Sequence, residues 1–204
     1  MEALDLDGLK TRVKIKVDEY TPSGVSHSFD DYLEPMLNES ADELIDKAPK
    51  YLLEPSALTL TDAKHDDDLY YIPVPSDYSR LYAVKFPLWA KPVYHTISPE
   101  HPLYELQDNE YTKAGYGRPV VMIRSDYPVG GSLQRYLVCG KVLSGALPEY
   151  ARYIQYKEAE NMPDVLSEAL TWLAASKLLQ ILEYHDQAKV AYDNHTAEIQ
   201  NKMR

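Results

Sequence analysis

The side chains able to ligate, attack or move a proton are few in this chain, and they lie far apart. His65-Asp66-Asp67-Asp68 offers imidazole and carboxylate ligands to a cation. It lacks the alternating ligands, central Gly and terminal Glu of an EF-hand loop, so an acidic turn ahead of a strand from Leu69 is the preferred reading. His185-Asp186 is half of a metal-hydrolase dyad without a companion His cluster, and reads as a polar helix junction. Cys139 could act as a nucleophile if His95 or His101 approached it. It ends the apolar run Tyr136-Leu137-Val138-Cys139 at strand spacing, where a buried, inert thiol is expected. Gly130-Gly131-Ser132 has neither the spacing of a phosphate loop nor the Lys-Ser/Thr that follows one, so it reads as a hairpin turn. Lys10, Arg12, Lys14 and Lys16 form one basic run among acidic residues, better explained as a solvated helix face than as a phosphate-contact patch. No catalytic, cofactor-binding or metal-binding residue is assigned.

Composition narrows the classes further. The 204 residues carry 21 Lys+Arg against 32 Asp+Glu, a net charge of −11, which is not the basic footprint of a nucleic-acid-binding domain. A single cysteine excludes an internal disulfide and a Cys-rich zinc site. The acidic N-terminus lacks the basic and apolar regions of a signal peptide, and no apolar run approaches membrane-spanning length, so a cytosol-like compartment is expected. Of 22 aromatic residues 18 are Tyr, a side chain enriched at macromolecular interfaces. Acidity is concentrated near the start: residues 1–68 hold 7 basic and 17 acidic groups, residues 69–162 hold 10 and 9, and residues 163–204 hold 4 and 6.

Hydrophobic periodicity supplies the elements that must position these groups. Phe29, Tyr32, Leu33, Met36, Leu37, Ala41, Leu44, Ile45 and Ala48 step by +3 and +4 and predict a helix over about 29–48. Ser28 is its expected N-cap, Pro49 its stop, and Pro35 an expected kink. Before it, Leu6, Leu9, Val13, Val17 and Tyr20 fit a helix while residues 12–17 also alternate as a strand would; the helix is preferred. From Ala57 the period shortens, giving candidate strands Leu58–Thr61, Leu69–Val74, Ser79–Phe86, Pro119–Ser125, Gln134–Gly140 and Tyr150–Tyr156. Residues 92–117 form a long excursion, of the kind on which contacts are often made. After Pro163, expected at the first helical position, Leu166, Ala169, Leu170, Leu173, Ala174, Leu178 and Ile181 define one apolar stripe, with Val165, Trp172 and Leu179 beside it. A helix apolar over so wide an arc is either central in its domain or packed on another subunit. The expected fold is α+β, with an antiparallel β domain (57–158) inserted between N-terminal helices (residues 1–56) and C-terminal helices (residues 159–204).

Three stretches carry a resemblance. Ile72-Pro73-Val74-Pro75-Ser76-Asp77-Tyr78-Ser79-Arg80-Leu81-Tyr82-Ala83-Val84, followed by Trp89, sets a Pro, an Asp-aromatic pair and an Arg along one strand. Gly117-Arg118-Pro119 opens the strand after the long loop. Tyr153-Ile154-Gln155-Tyr156 and Met162-Pro163-Asp164 precede a helix with Ala169, Ala174 and Ala175 and a last helix with Ala188. In this order, over about residues 70–204, the chain resembles the head-to-tail connector adaptors and tail-tube ring proteins of tailed bacteriophages. The resemblance implies a helical bundle made from both chain ends with the β domain inserted between them, in a structural virion protein without enzymatic activity or cofactor, made in the host cytoplasm. It also implies a homo-oligomeric ring, usually of twelve copies, stacked below the portal with other tail or ring proteins and enclosing DNA without sequence-specific binding. Val165, Trp172, Leu179, Tyr192, His195, Ile199 and Met203 are the candidate assembly interface, and residues 186–204 are expected to serve assembly more than the core. Two other readings stand beside it: a non-viral protein-binding module with a β insert, and an enzyme whose site, around Asp77, His95 or His185, forms only in the fold.

Overall fold

The computed structural model describes residues 4–21, 29–109, 111–126 and 134–203. The chain divides into two units, Met1–Glu54 with Tyr156–Arg204, and Pro55–Gln155. The expected class holds: helices from both chain ends make the first unit, and antiparallel sheets inserted between them make the second.

Among the described residues four α-helices build the helical unit: α1 (Leu6–Tyr20), α2 (Asp30–Lys47) and, after the insert, two more. Residues 12–17 are helical, and burial shows why: Leu9, Val13 and Val17, one turn apart, are fully buried while Ile15 is 61% exposed. A strand would have put Val13, Ile15 and Val17 on one face. Helix α2 runs from Asp30 to Lys47 with Pro35 inside it, and buries Leu33, Leu37, Ala41, Leu44 and Ile45. Phe29 stands at its N-cap without a side-chain cap, and the expected cap Ser28 lies outside the described residues.

In the inserted unit the strands are β1 (Ser56–Ala57), β2 (Lys64–Asp66), β3 (Leu69–Pro73), β4 (Tyr78–Lys85), β5 (Val121–Asp126), β6 (Gln134–Gly140) and β7 (Tyr150–Gln155). A one-turn helix, α3 (Pro102–Glu105), lies in the long loop. One sheet has the order β1-β7-β4, the other β2-β3-β6-β5, all antiparallel. The expected strand Leu58–Thr61 does not form; the pairing lies just before it, where Ser56 and Ala57 of β1 face Tyr153 and Arg152, and the inserted unit spans Pro55–Gln155 in place of the expected 57–158. Strand β2 has no apolar alternation to betray it. The expected hairpin turn Gly130-Gly131-Ser132 lies outside the described residues.

Tyr70, Ile72, Leu81, Phe86, Trp89 and Tyr153 belong to a core shared by both sheets. A second, smaller cluster of Ile97, Met122, Tyr136 and Val138 is packed by Tyr104 and Val120. Side chains alternate faces along a strand, so these two clusters cover both sides of β6, which is why Tyr136 to Gly140 are all buried. Residues 92–117 are therefore not a free excursion, since Ile97 and Tyr104 are part of the packing.

The chain returns to the helical unit through 3₁₀ turns at Ala159–Asn161 and Asp164–Leu166, then α4 (Ser167–Ile181) and α5 (His185–Lys202). Pro163 precedes the second turn, so the α-helix starts after the position expected for it. Helix α4 is buried nearly all round and contacts α1, α2 and α5, which accounts for most of the two apolar stripes, while Val165 and Ile181 at their ends are exposed. Residues 182–184 link α4 to α5, with Glu183 left-handed at φ 65°, and the pair packs as an antiparallel hairpin. Ala188, Ala191 and His195 are buried in this contact, and Ser176 Oγ donates to the Ala188 carbonyl at 2.9 Å. Helix α5 thus gives one side, Ala188, Ala191 and His195, to the core of the helical unit, so residues 186–204 are part of the folded unit as well as a candidate for assembly.

Candidate functional site

The residues singled out for chemistry are dispersed by the fold. His65 lies on β2 with its ring edge-on to Tyr70, centroids 4.8 Å apart; Asp67 takes the left-handed turn at φ 52°; Asp68 faces two lysines. Among the described residues no group of three or more His, Cys, Asp or Glu is placed to hold a metal ion. Cys139 is fully buried at the centre of its sheet, between Tyr70 and Val121, and burial pushes its thiol far above the ordinary range. His95, His101 and His185 are exposed, and Asp77 accepts from the Tyr153 hydroxyl at 3.0 Å. In the basic run, Lys10 and Lys14 pair with Glu34 and Asp30 of α2, while Lys16 pairs with Glu168 and lies 4.3 Å from the Trp172 ring centroid. Helix-to-helix pairing occupies the lysines that could have formed a phosphate patch.

The candidate interface of Val165, Trp172, Leu179, Tyr192, His195, Ile199 and Met203 does not form one surface. Leu179 is fully buried because α4 is central, which removes it from the interface. His195 is buried against α4, its Nδ1 2.8 Å from the Ala169 carbonyl, and it leaves the interface too. Trp172 is half-buried beneath Lys16 and edge-on to Tyr20; Ile199 is half-buried. Val165, Tyr192 and Met203 remain exposed.

Helix α5 presents a different outward face. Ala188, Ala191 and His195 face inward, and at the helical angle opposite them stand Asp186, Val190, Asp193 and Ala197, all exposed. Val190, 45% exposed, has a carboxylate one turn before it and another one turn after. The −4 and +3 spacing of these carboxylates about Val190 was present in the sequence, but a single valine does not register as an apolar stripe.

In the β unit the long loop builds a groove of about 480 Å³. Leu103, Leu106, Tyr111 and Val120 supply its apolar lining, Lys113 and Arg118 its charges. The loop is held in shape by its own polar groups. Gln107 donates to the Leu103 carbonyl and accepts from the Ala114 amide, both at 2.8 Å, and Thr112 Oγ1 donates to the Leu106 carbonyl at 2.9 Å. Gly140 lets the loop approach β6, since a Cβ there would stand 2.7 Å from that of Ala114.

A smaller cavity of about 100 Å³ adjoins this groove and shares Gln107, Lys113 and Ala114 with it. Lys113 and Lys141 both approach Asp68 Oδ2, at 3.4 and 3.3 Å, and Arg124 completes the charged lining. Partial burial acts upward on the Asp68 carboxyl, but the hydrogen bond from Lys141 and the charge of Lys113 outweigh it and hold the carboxyl below its usual range. Four cations and one carboxylate line the two cavities, so this edge of the β unit is locally positive. The sequence pointed to the loop as a place for contacts, but its charge is spread over residues 68, 113, 118, 124 and 141 and emerges only in the fold.

A scan against protein-family models and a search of curated proteins found no match to the chain. Among the described residues, no helix is long and apolar enough to cross a membrane.

Proposed function

We propose that this protein is a structural subunit of a tailed-bacteriophage virion, a head-to-tail connector of the adaptor or ring class. Copies assemble into a homo-oligomeric ring, of twelve in the arrangement the resemblance implies, below the portal and around the DNA channel. The observation that carries this reading is the architecture: two helices from each chain end make one unit, and an antiparallel β unit is inserted between them. That arrangement is the one implied by the connector-like segments from Ile72 onward. The charge is compatible with it. A ring around a moving duplex must not grip it, each neutralised phosphate adds affinity, and this chain carries −11 with the lysines of its one basic run paired to carboxylates.

Sedimentation of the purified protein, with negative-stain imaging of the heaviest species, tests the reading. Closed rings are expected. A chain that stays monomeric up to roughly millimolar concentration, or that binds duplex DNA with submicromolar affinity falling steeply with salt, overturns it.

A further inference from the structure

We propose that the outward face of α5 on one copy docks into the loop groove on the β unit of the next copy. The inference rests on the ring reading and names the two surfaces that would close it. The helix face has an apolar centre, Val190, between Asp186 and Asp193. The groove has an apolar lining, with Leu103, Leu106 and Tyr111 exposed, and carries Lys113 and Arg118. Apolar centre meets apolar lining, and the two carboxylates meet Arg118 and Lys113, the latter shared with Asp68. The two Asp residues stand seven positions apart, about 10 Å along the helix axis, which is the span a groove rather than a point contact must offer. At about 480 Å³ the groove is large enough to take the edge of a helix.

Charge selects the partner. The helical unit holds 11 basic and 21 acidic residues, a net −10, and the β unit 10 and 11, a net −1. Two α5 faces laid on each other would set Asp186 and Asp193 against the same residues of the copy, a like-charge contact that disfavours that pairing. The positive edge around the groove, with Lys141 and Arg124 behind it, is the complementary surface. A contact between two different faces leaves one of each unused on every dimer, so it propagates head-to-tail until the rotation closes it into a ring.

Charge reversal of the full chain tests this. Asp193→Lys and Arg118→Glu each change an exposed residue, so circular dichroism should be unaffected, while sedimentation should show association weakened by at least about tenfold. Combining them should restore assembly. If the unaltered protein assembles and neither reversal weakens it, or if the double variant is no better than the singles, the docking is overturned while the ring reading survives. If the unaltered protein never assembles, both fall. A second readout uses the inaccessibility of Cys139: Val190→Cys with Leu106→Cys in one chain should, on mild oxidation, give a ladder of covalent multimers beyond the dimer. Each single variant alone can give no more than a dimer, and a double variant that also stops there contradicts a head-to-tail contact.

Discussion

The helical unit and the β unit solve the same problem with different materials. The helices bury Leu and Ala around α4, and lysines join one helix to the next: Lys10 to Glu34, Lys14 to Asp30, Lys16 to Glu168, Lys177 to Glu39 and Glu43. The β unit buries rings. Tyr70 meets Phe86 edge-on at 5.2 Å, Phe86 meets Trp89 at 5.1 Å, and Tyr78 stacks on Tyr153 at 5.8 Å. Two of the polar tips are tethered: Trp89 Nε1 donates to the Lys141 carbonyl at 2.9 Å, and the Tyr153 hydroxyl donates to Asp77 at 3.0 Å. Small apolar residues let helices approach closely, whereas two sheets need large side chains to fill the gap of about 10 Å between them. The abundance of Tyr, which on composition alone suggested interfaces, is in part a core property.

The largest expected effect comes from removing α5. A chain ending at His185 uncovers the α4 face that Ala188, Ala191 and His195 bury, and circular dichroism should show the helical unit losing its cooperative melting. A sharp, strongly helical transition in that truncation would make α5 dispensable. Next in size are core truncations, one in each unit. Phe86→Ala should cost about 3–5 kcal/mol and Leu170→Ala about 2–5 kcal/mol, since both side chains are fully buried. Hydrogen exchange read peptide by peptide shows whether each loss stays in its own unit, and a change of under about half a kcal/mol would mean the core is misassigned.

Acid and alkali should separate the units. Burial, with a hydrogen bond to charged Asp77 in the case of Tyr153, pushes the Tyr78 and Tyr153 hydroxyls up to about 12. An unfolded Tyr loses its proton near pH 10, so between about pH 10 and 12 the unfolded chain binds fewer protons and the β unit loses stability as pH rises. Burial drives His195 the other way, below its ordinary value, against the upward pull of the Ala169 carbonyl and Glu43. Its unfolded form takes up a proton near pH 6.5 before the folded form does, so the helical unit loses stability as pH falls below about 6.5. Exchange rates against pH check this: Tyr153→Phe should flatten the alkaline slope and His195→Gln the acid one, and a variant with the parent slope removes that residue from the account. The smallest effect is Lys177→Met. It removes a cation shared by Glu39 and Glu43, both at 2.9 Å, and should cost about 1 kcal/mol or less, shrinking with added salt. A larger, salt-independent loss would point to packing of the lysine stem instead.

The sequence was most legible where one period ran long enough to be counted. Helix α2, expected over 29–48, spans Asp30–Lys47, and β6 has the expected bounds Gln134–Gly140. Short elements escaped because two or three residues carry no period: β1 is set by its pairing to Tyr153 and Arg152, and β2 by a turn through Asp67. For the candidate site, spacing along one helix could not separate a stripe facing a neighbouring helix from one facing solvent. Leu179 and His195, at stripe spacing, therefore read as outward-facing from sequence, while the lone Val190 makes no stripe. The groove was less legible still, because Lys113, Arg118 and Lys141 come from different segments.

The strands that open and close the insert have a further consequence. Ser56 pairs with Tyr153, and its Oγ donates to Gln155 at 2.5 Å, so the chain leaves and rejoins the helical unit about one strand spacing apart. A flexible insert of roughly a hundred residues would charge the helices about 4 kcal/mol of loop-closure entropy, (3/2)RT ln n. Zipped shut by β1 and β7, the folded insert acts on the helices as a tight turn does. Its length and internal sequence can then change without altering the entropy the helices meet, provided that this first pair of strands is kept.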